Sequence, residues 1–358
     1  MGWKPQEKEL SQQEAVELAQ RELAPYWFGI EPQLISIKQG AQSSLFPLDK
    51  QFIKQSWLLF FVDWTDFSRD AAFVYAREWY RRFHTHHFSI LMIYLPHYQF
   101  IIQDLSDLRK LREEKMEAFP WVIDFEKGIS GALGIQELPS VVLLDHGKRF
   151  FVNSGRNWLK NRELEIQSFL RGTDPGLPLS PIFLPPTAIV EDVLRVELGA
   201  RPQAGSPAKW VGGQFAARSS TESVGQFHGV RPKVMASGDV FLSGNWVQDA
   251  EKITNSDGGG MIGFRSPSPY VSIVAQAGPP GKRSAKVVVE INGSHAHKTI
   301  AGENVTFDDL GESSVSVSKP NLYHCLVRLP EGEREITLRF PDSSNQPVSI
   351  YGIRFGDV

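Results

Sequence analysis

The chain has 358 residues, 41% of them hydrophobic and 22% charged, with a formal net charge of −3. That composition is globular, and the length suggests about two domains. No basic excess points to nucleic acid or an anionic membrane, and the single cysteine, Cys325, excludes an internal disulfide.

The N-terminus, "MGWKPQEKELSQQEAVELAQ", lacks the apolar core of a signal peptide. No apolar run approaches the ~20 residues of a membrane span. The expectation is a cytoplasmic, soluble chain as written, or an extracytoplasmic one if it is a trimmed piece. Ser11 and Glu14 form a capping box, and Ala15, Val16, Leu18, Ala19 and Leu23 follow at helical spacing, predicting a first helix over 11–24. Residues 57–63 are an apolar run of strand length. From Asp66 the period changes, and Ala72, Ala76, Trp79, Tyr80 and Phe83 make one helical stripe. "FSILMIYL" is a second buried strand, stopped by Pro96, and 104–119 is a charged amphipathic helix. "WVIDF" reads as a short strand and "EKGISGALG" as a short helix. "PSVVLLD" and "KRFFVN" are strands joined by a hairpin signal, and "NRELEIQSFLRG" is a helix ending at Gly172. Strands alternating with helices imply a mostly parallel central sheet covered on both faces.

After Gly172 the pattern changes. "TDPGLPLSPIFLPP" is too rich in proline to continue a helix. With the polar stretch "GGQFAARSSTESVGQFHGVRP" it defines a linker over 176–235, between a first domain at 1–175 and a second at 236–358. The second domain holds short β-type runs, among them "DVFLSGNW", "YVSIVAQA", "KVVVEI", "NLYHCLVRL" and "VSIYGIRF". Turn signals such as Asn292-Gly293 separate them, and "AGPPGK" reads as a hairpin turn. The spacing argues for an all-β sandwich.

"AREWYRRF", "FSILMIYLP" and "FPWVIDFEKGISGALGIQELPSVVLLDHGK" together resemble the soluble C-terminal region of DipZ-type cytochrome c biogenesis proteins. "DVLRVELGAR", "REITLRF" and "IYGIRFGD" continue the resemblance in order. It implies an α/β thioredoxin-like domain of the redoxin/TlpA kind. A β-sandwich of the jelly-roll, galactose- or carbohydrate-binding-like kind would follow. It also implies that the family's Cys-x-x-Cys falls on Asp66-Phe67-Ser68-Arg69, so both cysteines are replaced. Leu138-Pro139 takes the place of the family's cis-proline, which faces the redox pair.

Thiol–disulfide exchange needs an attacking thiolate and a resolving partner, which Asp66 and Arg69 cannot supply. Asp66 at a helix start suits capping, and Ser68 has no base to activate it. Trp64 and Phe67 are core aromatics or the lip of a retained groove. Cys325 shares a strand face with Tyr323, Val327 and Leu329 and reads as a buried, inert thiol. His84, His86 and His87 in "HTHH" read as a solvated loop, and His295 and His297 lack an obvious third ligand, so no metal or cofactor is expected. Trp246 and Tyr323 are core candidates, while Phe264 and Tyr270 are weak candidates for a sugar-stacking platform.

The reading is a redox-inactive binding or scaffold protein. It would dock a peptide or protein at the former active-site groove, with a carbohydrate on the sandwich as a further expectation. The alternatives are a thiol-disulfide oxidoreductase or peroxiredoxin-like enzyme by family alone, and a structural spacer in a larger assembly.

Overall fold

The computed structural model describes residues 56–63, 65, 68–98, 121–124, 127–135, 138–145, 148–154, 158–178, 181–184, 192–200, 206–211, 214–218, 222–227, 235–236, 239–255, 259–278, 284–330, 332–341 and 346–357. The expected helices over 11–24 and 104–119 lie outside the described residues. The chain divides into two compact units. One runs to Trp64 and resumes over Ser68–Glu191; the other comprises Asp192–Val358 with the three residues Thr65–Phe67. No helix among the described residues is long and apolar enough to cross a membrane.

The first unit carries, in chain order, β1 (Ser56–Val62), α1 (Ser68–Phe83), β2 (Phe88–Tyr94), β3 (Trp121–Ile123), α2 (Gly128–Leu133), β4 (Ser140–Asp145), β5 (Lys148–Ser154) and α3 (Trp158–Thr173). The sheet order is β3-β2-β1-β4-β5. β1, β2 and β3 run parallel, β4 runs antiparallel to β1, and β5 returns antiparallel to β4. This is the strand order and polarity of a thioredoxin-like fold. The central strand β1 is buried along its whole length, as a continuous apolar run between two covered faces must be.

Helix α1 buries Ala72, Tyr75, Ala76, Trp79 and Phe83. Tyr80 is only half-buried and stacks on His84, so Tyr75 takes the place in the stripe expected of Tyr80. A short 3-10 turn over His84–His86 then closes the helix, and His87 adopts a left-handed φ of 54° to start β2.

The second unit begins earlier than the composition suggests. Five strands fall inside the expected linker: β6 (Asp192–Glu197), β7 (Ser206–Pro207), β8 (Lys209–Val211), β9 (Ala216–Ala217) and β10 (Ser223–Phe227). The linker expectation over 176–235 is therefore corrected. Polar, glycine-rich text reads as connection, yet β6 pairs with the C-terminal strand and β8 and β10 pair with β11. Partner strands, not a local apolar pattern, supply the reason for these strands to form.

β11 (Asp239–Gln248) is followed by β12 (Ile253–Asn255), β13 (Met261–Ser266), β14 (Tyr270–Ala277), β15 (Ala285–Ile291), β16 (Ser294–His295), β17 (Val305–Phe307), β18 (Ser313–Val317), β19 (Asn321–Leu326), β20 (Arg334–Arg339) and β21 (Val348–Asp357). The hydrogen-bonded path is β17-β18-β15-β20-β13-β11-β12-β21-β14-β19. It is one ladder that turns at β11. Residues 240–243 pair with β13, and residues 244–248 pair with β10 and β12. Gly244 sits at that turn with φ +97°, and a Cβ there would lie 3.0 Å from the Gly260 Cα. Strands from both ends of the path feed one core, including Val287, Val289, Leu338, Ile273 and Ile350.

Asn292 and Gly293 have φ of 50° and 78° and join β15 to β16 as the turn signal predicts. "AGPPGK" does not close a hairpin, because β14 pairs with β19 and β21 while β15 pairs with β16, β18 and β20. Proline and glycine mark a break in the chain, and they do not say which strands pair across it.

Gly244→Ala meets both a left-handed backbone and a neighbouring main chain. It should destabilise the second unit by more than about 1 kcal/mol. Gly293→Ala, where an added Cβ meets nothing within 4 Å, should cost less. Chemical denaturation of both variants checks the ranking.

Candidate functional site

Most of the expected redox-derived loop, namely Trp64, Asp66 and Phe67, lies outside the described residues. Ser68 and Arg69 open α1 in the backbone. Thr65 is buried, and its carbonyl accepts a 3.1 Å hydrogen bond from Arg354 Nε within the second unit. The Leu138–Pro139 peptide bond is cis. Ser140, the next residue, pairs with Phe61 on β1. This register brings Pro139 to the carboxyl end of β1, close to Asp63.

That end of the sheet is where open α/β sheets bind ligands, above all where the strand order reverses. Here it reverses at β1, which has β2 on one side and β4 on the other. Asp63 follows β1 and is fully buried. His97 follows β2, and its Nε2 lies 4.0 Å from an Asp63 carboxylate oxygen. His97 Nε2 is buried and makes no hydrogen bond among the described residues. At 4.0 Å the two groups are too far apart for a hydrogen bond. Asp124, just past β3, is committed elsewhere: its carboxylate accepts the amides of Ile129 at 3.2 Å and Ser130 at 2.7 Å at the start of α2. The sequence reading missed Asp63 and His97. An acid directly after a strand buried on both faces was the available signal, since such a position is dry.

A second polar centre lies between the helices. Glu163 on α3 is fully buried. Its carboxylate accepts Trp79 Nε1 at 3.1 Å, an Arg82 Nη at 2.8 Å, Gln167 Nε2 at 3.2 Å and the Phe183 amide at 2.9 Å. Arg82 also bonds Glu78 and the Pro181 carbonyl, each at 2.6 Å. Arg81, Arg82 and residues 181–184 line an open cleft of about 640 Å³. Hydrogen bonds from Arg81 first, then Arg82, pull the Glu78 carboxyl down to about 2.

In the second unit Cys325 is fully buried, and desolvation pushes its thiol up to about 12. Its Sγ points to the Tyr323 carbonyl at 3.6 Å. Phe264 is 1% exposed and packs edge-on to Phe355, so it has no face for a sugar, and the platform expectation is corrected at that residue. It sits on the inward-facing register of β13, which "GMIGF" alone does not reveal. Tyr270, the other platform candidate, is half-buried at the first residue of β14. Trp246 and Tyr323 are buried in the core. Ser272 and His324 form a buried 2.9 Å cross-strand hydrogen bond, and His324 Nε2 lies 3.5 Å from Glu303. A Ser–His–acid order is the one hydrolases use, but Ser272 is fully buried and no substrate reaches it. No group of three or more histidine, cysteine or acidic side chains able to hold a metal occurs among the described residues.

The family model described as "Thioredoxin like C-terminal domain" matches residues 212–356, which lie within the second unit. No curated protein matches the chain. Among solved structures, the chain is similar to the thioredoxin domain of a thiol-disulfide oxidoreductase from Bacteroides vulgatus, at 20% identity over 33% of this chain and 81% of that one, with a TM-score of 0.28. It is also similar to a thiol:disulfide interchange protein from Bacteroides sp., at 18% identity over 35% and 79%, with a TM-score of 0.28. A third is a family two carbohydrate esterase from Clostridium thermocellum in complex with cellohexaose, at 14% identity over 30% of this chain and 28% of that one, with a TM-score of 0.23.

Glu163→Ala leaves the Arg82 charge and three other donors without their acceptor. It should destabilise the first unit by about 3–5 kcal/mol in denaturant unfolding. Glu78 gives a pH signature. Its folded pKa lies below the ordinary value of 4.5, so its contribution is complete above that value and is lost as the pH falls towards about 2. The stability difference between wild type and Glu78→Gln, small for so exposed a pair, should shrink over that window and stay constant above it.

Proposed function

We propose that this chain is a redox-inactive binding or scaffold protein that uses a thioredoxin-like domain to dock a peptide or protein. One observation carries the loss of redox chemistry. The only sulfur that could serve as a thiol is Cys325, which is buried in the second unit with its thiol pushed up to about 12. A nucleophilic thiol needs the thiolate, and reactive cysteines have lowered values. On the resemblance to DipZ-type proteins, the places of the redox pair fall on Asp66 and Arg69.

The binding role rests on what the carboxyl end of β1–β3 presents. Asp63 and His97 form a buried acid–imidazole pair beside Pro139. The carboxyl end of an α/β sheet is a recurrent docking place for ligands, and binding there needs no sulfur. On the same reading the chain is of the DipZ-type kind. Its second unit is then a β-sandwich of jelly-roll, carbohydrate-binding-like architecture, with β11 as the strand that changes sheets.

Two assays test this. Purified protein should reduce insulin disulfides no faster than buffer with the same reductant, and activity that disappears in Cys325→Ser would contradict the proposal. In a peptide array probed with the full chain, His97→Ala should weaken the strongest signals about tenfold. Unchanged signals from a folded variant would remove this end of the sheet as the docking site.

A further inference from the structure

Leu310 is 94% exposed, more than any other large apolar side chain among the described residues. A single exposed leucine is ordinary on a protein surface. This one stands at the tip of a locked turn between β17 and β18. The Asp308 carboxylate accepts the Leu310 amide at 3.0 Å and the Glu312 amide at 2.9 Å, and the Gly311 amide closes on the Asp308 carbonyl at 3.0 Å. Gly311 supplies a left-handed φ of 80°. Lys286 on β15 braces the turn, 3.4 Å from Asp308 and 2.6 Å from Glu312. Asp309, beside the leucine, is exposed and makes no hydrogen bond or ion pair among the described residues. A backbone fixed in this way loses little freedom when its tip binds.

The cleft of the first unit has the opposite character. Helix α1 supplies Arg81 and Arg82, and the facing segment supplies Pro181, Ile182, Phe183 and Leu184. Phe183 is fixed in place by its amide bond to Glu163 and by Tyr75 edge-on at 5.4 Å, so the cleft is preformed. Arg82 is committed to Glu163, Glu78 and the Pro181 carbonyl. Arg81 spends Nε and Nη2 on Glu78, which it shares with Arg82, so its charge is only partly matched. Its side chain is 69% exposed, and Leu184 is 66% exposed.

We propose that the 308–312 turn of one copy of this chain seats in the Arg81–Leu184 cleft of a second copy. Leu310 then packs on Ile182, Phe183 and Leu184, while the Asp309 carboxylate meets the Arg81 guanidinium. Complementarity of both kinds carries the pairing: an apolar tip beside an acid, and an apolar cleft beside an arginine. The contact joins two different surfaces, so it is heterologous. One turn in one cleft buries far less than a standard interface, which makes the association weak and transient.

Sedimentation equilibrium of the full chain at low salt, up to about 1 mM, tests this. The weight-average mass of the wild type should rise above that of the monomer with concentration. Leu310→Asp changes only an exposed tip and should raise the dissociation constant about tenfold or more. Leu184→Asp, in the cleft, should do the same. An equimolar mixture of the two variants should associate where neither does alone, because it still holds one intact turn and one intact cleft. A wild type that stays monomeric throughout would overturn the proposal. So would association that survives either substitution, or a mixture that stays as monomeric as its components.

Discussion

A carboxylate cut off from water must find its counter-charge and all its hydrogen bonds inside the protein. Glu163 meets that demand with an indole, a guanidinium, a side-chain amide and a main-chain amide. Burying an ion is costly, and the arrangement holds only because every donor is in place. It therefore fixes α1 against α3, since Trp79 and Arg82 come from one helix and Glu163 and Gln167 from the other. With α1 fixed, the stripe from Ala72 to Phe83 covers β1 and β2. The sheet end that carries Asp63 and His97 inherits its geometry from that packing.

The second unit has a comparable constraint. Arg354 is fully buried and pairs with Glu197 at 3.0 Å across β21 and β6. Gly352 lies opposite Glu197 in register. A Cβ at Gly352 would lie 3.0 Å from the Val196 carbonyl and 3.1 Å from a Glu197 carboxylate oxygen. The glycine is there because the ion pair needs the space. Gly244 does a similar thing for the ladder as a whole, letting one strand serve two directions of pairing. Both positions trade backbone freedom for close approach.

Much of this was legible from the residues. β1, β2 and β4 read correctly because parallel and central strands are continuous apolar runs, and α1 because its stripe is long. The lack of a cysteine pair was legible outright, because the sequence holds the single Cys325. Three things were hidden. The strands within 192–227 were hidden because edge pairing leaves little pattern in the strand itself. Phe264 was misjudged because a one-residue change of register moves an aromatic from surface to core. The Glu163 centre was hidden because a buried and an exposed glutamate look alike in a helix such as "RELEIQ", and only the partners, 84 residues away at Trp79, distinguish them.

The functional account turns on the state of one sulfur. A thioredoxin-like fold supplies a sheet end and a cis-proline with or without cysteines, so the fold does not decide the chemistry. What decides it is whether any thiolate exists in the native protein. The rate of alkylation of Cys325 by iodoacetamide at pH 8, followed by intact mass in native buffer and in denaturant, measures this directly. The account predicts no modification of the folded chain and one added group after unfolding. Rapid alkylation of the folded chain, with its unfolding transition unchanged, would contradict it.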